Sequence, residues 1–335
     1  MLAAVFEGEG RLVVREVPEP VPSRDEVLIE VEACGICGSD VQIINVPPGH
    51  PSTPPVVIGH EFVGRVTALG AGVGRDGPKV GDRVVVDPDP KCGACPSCQS
   101  GHPSSCERIV ALGVHRDGAL AKFVTAPANC TYPIRDDVPS ELAALVEPLA
   151  CVVNGTNLAA VRPGESVAVF GAGAIGCLFI AVFRAAGAGR IVAIEPSRAR
   201  EPVARAVGAD DVVTPAEWDA RRHELMPGGA AVVVDAVGSV LPDAIEAAAM
   251  AGRIVLFGMN GNARPPVHQV EIVEKGLSIL GSYISNFTFP AAIRLIESGR
   301  LNVAPMISAV LPLSEIEDGL ARLRSGAAVK VVLTP

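Results

Sequence analysis

Four cysteines, Cys92, Cys95, Cys98 and Cys106, fall within fifteen residues, separated by two, two and seven positions. Thiolates this close in sequence can converge on one tetrahedral ion. Four sulfur ligands with no open position make a structural zinc site. Disulfides fit the spacing poorly, because two-residue gaps strain most bridges and nothing in the chain points to secretion. An ion held this way has nowhere to bind a substrate, so the lobe at about 90–107 reads as a scaffold.

A sparser set could hold a metal and leave a position open. Gly35-Ile36-Cys37-Gly38-Ser39-Asp40 supplies a thiolate, Gly59-His60-Glu61 an imidazole and a carboxylate, and Val146-Glu147-Pro148-Leu149 another carboxylate. One Cys, one His and one or two carboxylates suit zinc with a free coordination site. Such an ion is a Lewis acid that tunes a bound water or alcohol. Cys34, Cys130, Cys151 and Cys177 read as buried small side chains. His102 in the cysteine lobe, and His115, His223 and His268 outside any motif, read as structural or surface residues.

A third constellation points to a dinucleotide. Ser166–Phe170 reads as a strand that runs into Gly171-Ala172-Gly173-Ala174-Ile175-Gly176 and then an apolar helix, with Glu195 nineteen positions beyond Gly176. The glycines suit a tight turn, close approach of backbone to a pyrophosphate, and close helix–strand packing. The helix N-terminus, at Ala174 and Ile175, offers N–H groups and a positive dipole end. Glu195, placed at the end of the second strand, can bind both hydroxyls of an adenosine ribose and would repel a 2′-phosphate, so NAD is expected over NADP. Arg198 and Arg200 read mainly as solvated helix charge, with Arg200 kept among the cofactor-binding candidates.

These residues must be positioned by two kinds of structure. The chain has 335 residues, 49% hydrophobic and 19% charged, enough for two domains with sizeable cores. Aromatics are only 4%, so packing must rest on Val, Leu, Ile and Ala. A net charge of −9 argues against a general nucleic-acid binder. The start of the chain, Met1 to Arg11, reads as a strand rather than a signal peptide, and no apolar run is expected to reach the length of a membrane span. Residues 1–150 read as β-rich, with short runs such as Val27–Val31, Phe62–Val66 and Arg83–Val86. From 166 to 283, apolar runs alternate with helical stretches. Strands are expected at 166–170, 191–195, 211–213, 231–235, 253–257 and 277–281, with helices at 174–186, 199–207 and 241–250. This pattern implies a doubly wound parallel sheet. Two further helices (291–298 and 314–325) and a last strand (329–333) are expected in the tail.

Taken in order, the Cys37 string, the His60-Glu61 string, the four-cysteine lobe, Glu147-Pro148-Leu149 and the Gly171–Gly176 loop resemble the zinc-dependent medium-chain dehydrogenases. The likeness spans essentially the whole chain. It is strongest to the polyol branch, which includes sorbitol and threonine 3-dehydrogenases, because that branch has Glu-Pro-Leu where classical alcohol dehydrogenases place a zinc-binding cysteine.

The resemblance implies an α/β Rossmann domain, 151–289, and a β-rich GroES-like catalytic domain, 1–150 with 290–335, facing each other across a cleft. It implies Cys37 and His60 as catalytic zinc ligands. Glu61 and Glu147 would be further ligands, direct or through water. Asp40 would orient His60, and Ser39 would relay the substrate proton. Many relatives have a histidine where this chain has Gln42, so His50 becomes the alternative relay. The expected reaction is reversible, zinc- and NAD-dependent oxidation of a secondary alcohol in a polyol, sugar or amino alcohol, with two zincs per chain. A threonine 3-dehydrogenase-like or aminocyclitol dehydrogenase is the near alternative, and a non-catalytic NAD-binding regulator the distant one. A zinc-free quinone reductase is disfavoured by the intact Cys37, Ser39 and His60. A cytoplasmic homotetramer, without nucleic-acid or membrane partners, is expected.

Overall fold

The computed structural model describes residues 1–335. Its central element is a six-stranded, wholly parallel sheet in the spatial order Asp211–Val213, Arg190–Ile194, Ser166–Phe170, Ala230–Asp235, Ala248–Leu256, Ser278–Gly281. The strand order reverses between Ser166–Phe170 and Ala230–Asp235. In open α/β sheets the crevice at that switch point is where ligands bind. These strands are Val-, Ile- and Ala-rich because both faces are covered. Phe170, Trp218, Val233 and Ile245 fill one face, and Val169, Phe179 and Phe183 the other.

The second sheet has seven strands and is mostly antiparallel. Glu26–Gly35 lies at its centre and pairs with Glu61–Leu69, Phe123–Pro127 and the C-terminal strand Lys330–Thr334. Ile307–Pro312 joins the outer side of Lys330–Thr334, so the end of the chain completes a sheet begun near its start. Ile29, Phe62, Val84, Leu112, Leu120 and Val331 make its interior.

Helix Val146–Ala159 connects the two sheets. Its residues Leu149, Val152 and Val153 share one apolar cluster with Phe179 and Phe289 on one side and Val63 and Val85 on the other. Both expected domain limits fall inside helices, residue 150 within Val146–Ala159 and residue 290 within Phe289–Glu297.

Several expectations need correction. The N-terminal segment is a hairpin, Leu2–Gly8 with Arg11–Glu16, turned through Glu9 at φ 49°. The helix expected over 241–250 stops at Ala247, because the chain enters the parallel sheet at Ala248. Helix Pro215–Leu225 was missed, although Thr214 and Glu217 form a reciprocal capping box at its start. Ser140–Ala159 is also a 20-residue apolar helical stretch, long enough by length and composition to cross a membrane. Most of it is buried in the protein, as a core helix would be.

Candidate active site

The strand Glu26–Gly35 delivers Cys37 to the start of helix Gly38–Ile44. Asp40, at the third helical position, turns back and accepts the Cys37 backbone N–H at 2.8 Å. This fixes the thiol-bearing turn. His60 and Glu61 enter from the start of the neighbouring strand. The ligand atoms of Cys37, His60 and Glu61 all lie within 4.8 Å of one another. Ser39 Oγ is 3.5 Å from His60 Nε2.

These groups fit a metal. Thiolate, imidazole and carboxylate are zinc's preferred donors, and burying them together without a cation is costly. His60 Nδ1 and Asp40 Oδ1 are 3.8 Å apart, both buried and both without a hydrogen-bond partner. Their placement is that of an imidazole held from behind by a carboxylate. Burial pushes the Asp40 carboxyl above its ordinary value, against the opposing charge of His60.

Glu147 lines the same cleft but stands outside the tight three-residue group. It is 8% exposed, and burial raises its pKa to about 8, with His60 opposing. Its Oε1 accepts the Cys151 thiol at 3.4 Å.

Glu61 carries a partner the sequence analysis did not find. Lys330 Nζ donates to Glu61 Oε2 and, at 3.1 Å, to the Ile36 carbonyl. The two side chains are 2% and 1% exposed. A Cβ at position 35 would stand 2.4 Å from Glu61 Oε2, so Gly35 is what lets this carboxylate reach across the strand. The available signal was one lysine inside the apolar run Val329–Leu333.

The cleft occupies about 290 Å³ between the two sheets. Cys37, Ser39, His60, Glu61 and Glu147 line it, with Ile175 from the glycine-rich loop. Gln42 lines it too, but its amide N–H donates to the Met259 carbonyl across the cleft at 2.9 Å, leaving Oε1 as a buried acceptor without a partner. His50 lines it with Nδ1 donating to the Pro51 carbonyl at 2.8 Å, which leaves Nε2 free. His115, read from sequence as structural or surface, belongs to this cleft as well; its Nδ1 accepts the Ala111 N–H at 3.1 Å. Asp89 and Tyr283 complete the set that sequence reasoning did not place.

The remaining cofactor candidates lie apart from the cleft, around the glycine-rich turn. A Cβ on Gly176 would sit 1.8 Å from the Gly171 carbonyl, so only glycine allows the helix to start so close to the strand. Glu195 is the residue just after its strand and is 2% exposed. Its two oxygens accept the backbone N–H groups of Ala172 (2.7 Å) and Ser197 (2.9 Å). Arg200 is not solvated charge. Its side chain is 20% exposed, lies 3.4 Å from Glu195 and is 3.7 Å from where a Gly173 Cβ would stand. Arg198, by contrast, is half exposed and pairs with Glu201 and Glu217.

The four lobe cysteines gather with their sulfurs within 4.8 Å of one another, and none forms a disulfide. Backbone N–H groups point at them: Cys95 N donates to Cys92 Sγ at 3.3 Å, and Cys92 N and Arg108 N donate to Cys106 Sγ at 3.4 Å. The Ala94 N–H, 3.5 Å from Cys92 Sγ, with that of Cys95 holds the Cys92 thiol below its ordinary pKa, and the Cys92 and Arg108 N–H groups do the same for Cys106, which favours the thiolates a metal requires.

A doubly wound dinucleotide-type sheet joined to a β-rich sheet, with a thiol–imidazole–carboxylate group in the cleft between them, defines a dehydrogenase of the alcohol dehydrogenase class. Residues 23–136 match the alcohol dehydrogenase GroES-like domain and residues 174–298 the zinc-binding dehydrogenase domain. L-threonine 3-dehydrogenase of Caldanaerobacter subterraneus subsp. tengcongensis is 34% identical over 337 residues, covering 97% of this chain and 95% of that enzyme. D-arabinitol dehydrogenase 1 of Uromyces fabae is 30% identical, covering 100% and 97%. Among solved structures, 2R,3R-butanediol dehydrogenase from Bacillus subtilis superposes with a TM-score of 0.89 at 30% identity, covering 100% of this chain and 99% of that one. A protein of Sinorhizobium meliloti 1021, assigned as a zinc-binding dehydrogenase and crystallised with NADP, gives 0.93 at 34% identity, covering 100% and 99%. The chain belongs to the zinc-dependent medium-chain dehydrogenases, in their polyol branch. It is a zinc- and nicotinamide-dependent oxidoreductase acting on alcohols.

Proposed function

We propose that this enzyme oxidises a secondary alcohol of a polyol, sugar or amino alcohol to the ketone, reversibly, with NAD as its cofactor. The observation that carries this reading is the Cys37–His60–Glu61 group, within 4.8 Å, in the cleft between the two sheets. Cys37 and His60 hold the catalytic zinc, with Glu61 and Glu147 as further ligands, directly or through water. Zinc supplies Lewis-acid polarisation of the substrate oxygen, and the cofactor carries the electrons. Asp40 fixes the imidazole. Ser39 takes the substrate hydroxyl proton and passes it outward, with His50 Nε2 as the next acceptor. The Gly171–Gly176 loop binds the pyrophosphate, and Glu195 with Arg200 the adenosine ribose. Glu195 favours NAD, while Arg200 beside it softens the rejection of a 2′-phosphate.

The catalytic domain comprises 1–150 with 290–335 and the Rossmann domain 151–289, and the enzyme works as a cytoplasmic homotetramer. Metal analysis and a NAD reduction assay test the reading together. The wild type should hold two zincs per chain, and Cys37→Ser should lose one of them along with at least about 100-fold in kcat/KM. Full turnover by Cys37→Ser would remove the catalytic-zinc assignment.

A further inference from the structure

The segment Asp87-Pro88-Asp89-Pro90 runs from the strand Arg83–Val86 to the first lobe cysteine. Proline fixes φ at two of its positions and keeps the preceding residues extended, so the segment is stiff. Its two carboxylates have different fates. Lys91 Nζ donates to both oxygens of Asp87, at 2.8 and 2.7 Å, and to Ser285 Oγ at 2.9 Å. Ser285 Oγ in turn donates to Asp87 Oδ2 at 3.0 Å. Asp87 and Lys91 thus neutralise each other as a clamp between the lobe segment and the loop after the last strand of the parallel sheet.

Asp89 has no such partner. It is 8% exposed and lines the cleft, and only its backbone N–H is engaged, toward Asp87. No donor and no cation lies within bonding reach of its carboxylate, since the nearby lysine is taken by Asp87. Burial pushes its pKa up. Its oxygens open on the cleft and have no donor from the protein, so a polar group that enters the cleft can hydrogen-bond to them in place of water. The rest of the lining sharpens the point. No lysine or arginine lines the cleft, and its acidic members are Glu61, Asp89 and Glu147. Lys330 lies behind the wall and is taken by Glu61.

The geometry points to Asp89 as the substrate-anchoring carboxylate: it accepts a hydrogen bond from a second donor group of the alcohol, hydroxyl or ammonium, and the cleft selects neutral or cationic polar alcohols over those carrying a carboxylate or phosphate. An anionic substituent would be desolvated beside Asp89 with no lysine or arginine to receive it, only the histidines His50 and His115. Among the branch's substrate types this favours polyols and amino alcohols over threonine. The inference rests on the dehydrogenase reading above.

The test uses zinc-loaded enzyme and a panel of alcohols: a sugar alcohol, a vicinal amino alcohol, 2-butanol, L-threonine and a sugar-alcohol phosphate. In Asp89→Asn and Asp89→Ala, kcat/KM for the first two should fall relative to 2-butanol by about tenfold or more, the size of one hydrogen bond to a charged group. Calorimetric binding of the sugar alcohol and the amino alcohol to the enzyme saturated with NADH should weaken by the same factor. A larger loss for the amino alcohol assigns ammonium as the favoured donor, and equal losses assign hydroxyl. Equal falls for 2-butanol and the sugar alcohol would overturn the proposal. If neither variant folds, the wild-type panel decides, and preferred oxidation of threonine or the phosphate would overturn it. The dehydrogenase reading fails separately, if no alcohol reduces NAD or NADP with two zincs bound, and the calorimetric comparison still judges Asp89.

Discussion

At the scale of single residues, the buried Lys330–Glu61 pair dominates the metal region. Taking one partner from a buried ion pair leaves the other uncompensated and costs about 3–5 kcal/mol. Lys330→Met should therefore lower the thermal midpoint by many degrees in calorimetry, and an unchanged midpoint would show that Glu61 finds another partner. His50 makes a second prediction. Burial holds its pKa below the ordinary 6.5 against the hydrogen bond to the Pro51 carbonyl, with His60 and His115 adding to the shift and Asp40 opposing it. With the folded value depressed, the unfolded chain takes up a proton first as pH falls, so this residue's contribution to stability is lost downward from about 6.5. As a proton acceptor it works when neutral, so the acid limb of kcat/KM should lie below the ordinary histidine value. His50→Gln should lower kcat/KM about tenfold or more and remove that limb, and a limb unmoved in the variant would exclude His50 from the relay. The ligand candidates were legible because motif spacing preserves them. Lys330 was not, because its partner Glu61 lies 269 positions away; Asp89 and His115 were not, because the cleft they line is assembled from segments far apart in the chain.

At the scale of elements, the cysteine lobe does more than hold its own loop. Lys91 precedes Cys92 and clamps Asp87 to Ser285, so the lobe's first cysteine is covalently next to the residue that fixes the Asp87–Pro90 segment against the other sheet. Losing the lobe metal should loosen that segment and the cleft wall with it. Cys98→Ser is expected to bind one zinc instead of two, to unfold at lower temperature and to raise KM for the alcohol more than it lowers kcat. One zinc with unchanged KM would confine the lobe to local stability. The glycine-rich turn was the most legible element, since strand, turn and helix each had a local signal. Helix Pro215–Leu225 also has one, its capping box, but its polar sequence carries no apolar stripe to mark a helix. The early end of helix Leu241–Ala247 had none: Ala248–Met250 favours helix locally, and parallel pairing with Ala230–Asp235 overrides it.

At the scale of the molecule, the chain is a closed circuit. It begins the seven-stranded sheet, leaves to build the parallel sheet, and returns to finish the first one with Ile307–Pro312 and Lys330–Thr334. The N-terminal part alone lacks two strands and the buried lysine that neutralises Glu61. The inserted part is different, because its sheet is complete in sequence, but its core is not bounded by 151 and 289. Leu145, Val146 and Leu149 at one end and Phe289, Ile293 and Ile296 at the other belong to the apolar cluster under helix Ala174–Ala185. A fragment cut at 151 and 289 severs both helices that carry these side chains, and each large apolar group lost costs about 2–5 kcal/mol, against a total stability of about 5–15 kcal/mol. A fragment from Ser140 to Val303 keeps both helices whole. It should unfold cooperatively and bind NAD by fluorescence titration, whereas 151–289 should show no cooperative transition. Cooperative unfolding of the shorter fragment would mean that the parallel sheet is self-sufficient, and that the two flanking helices serve the cleft instead of the core.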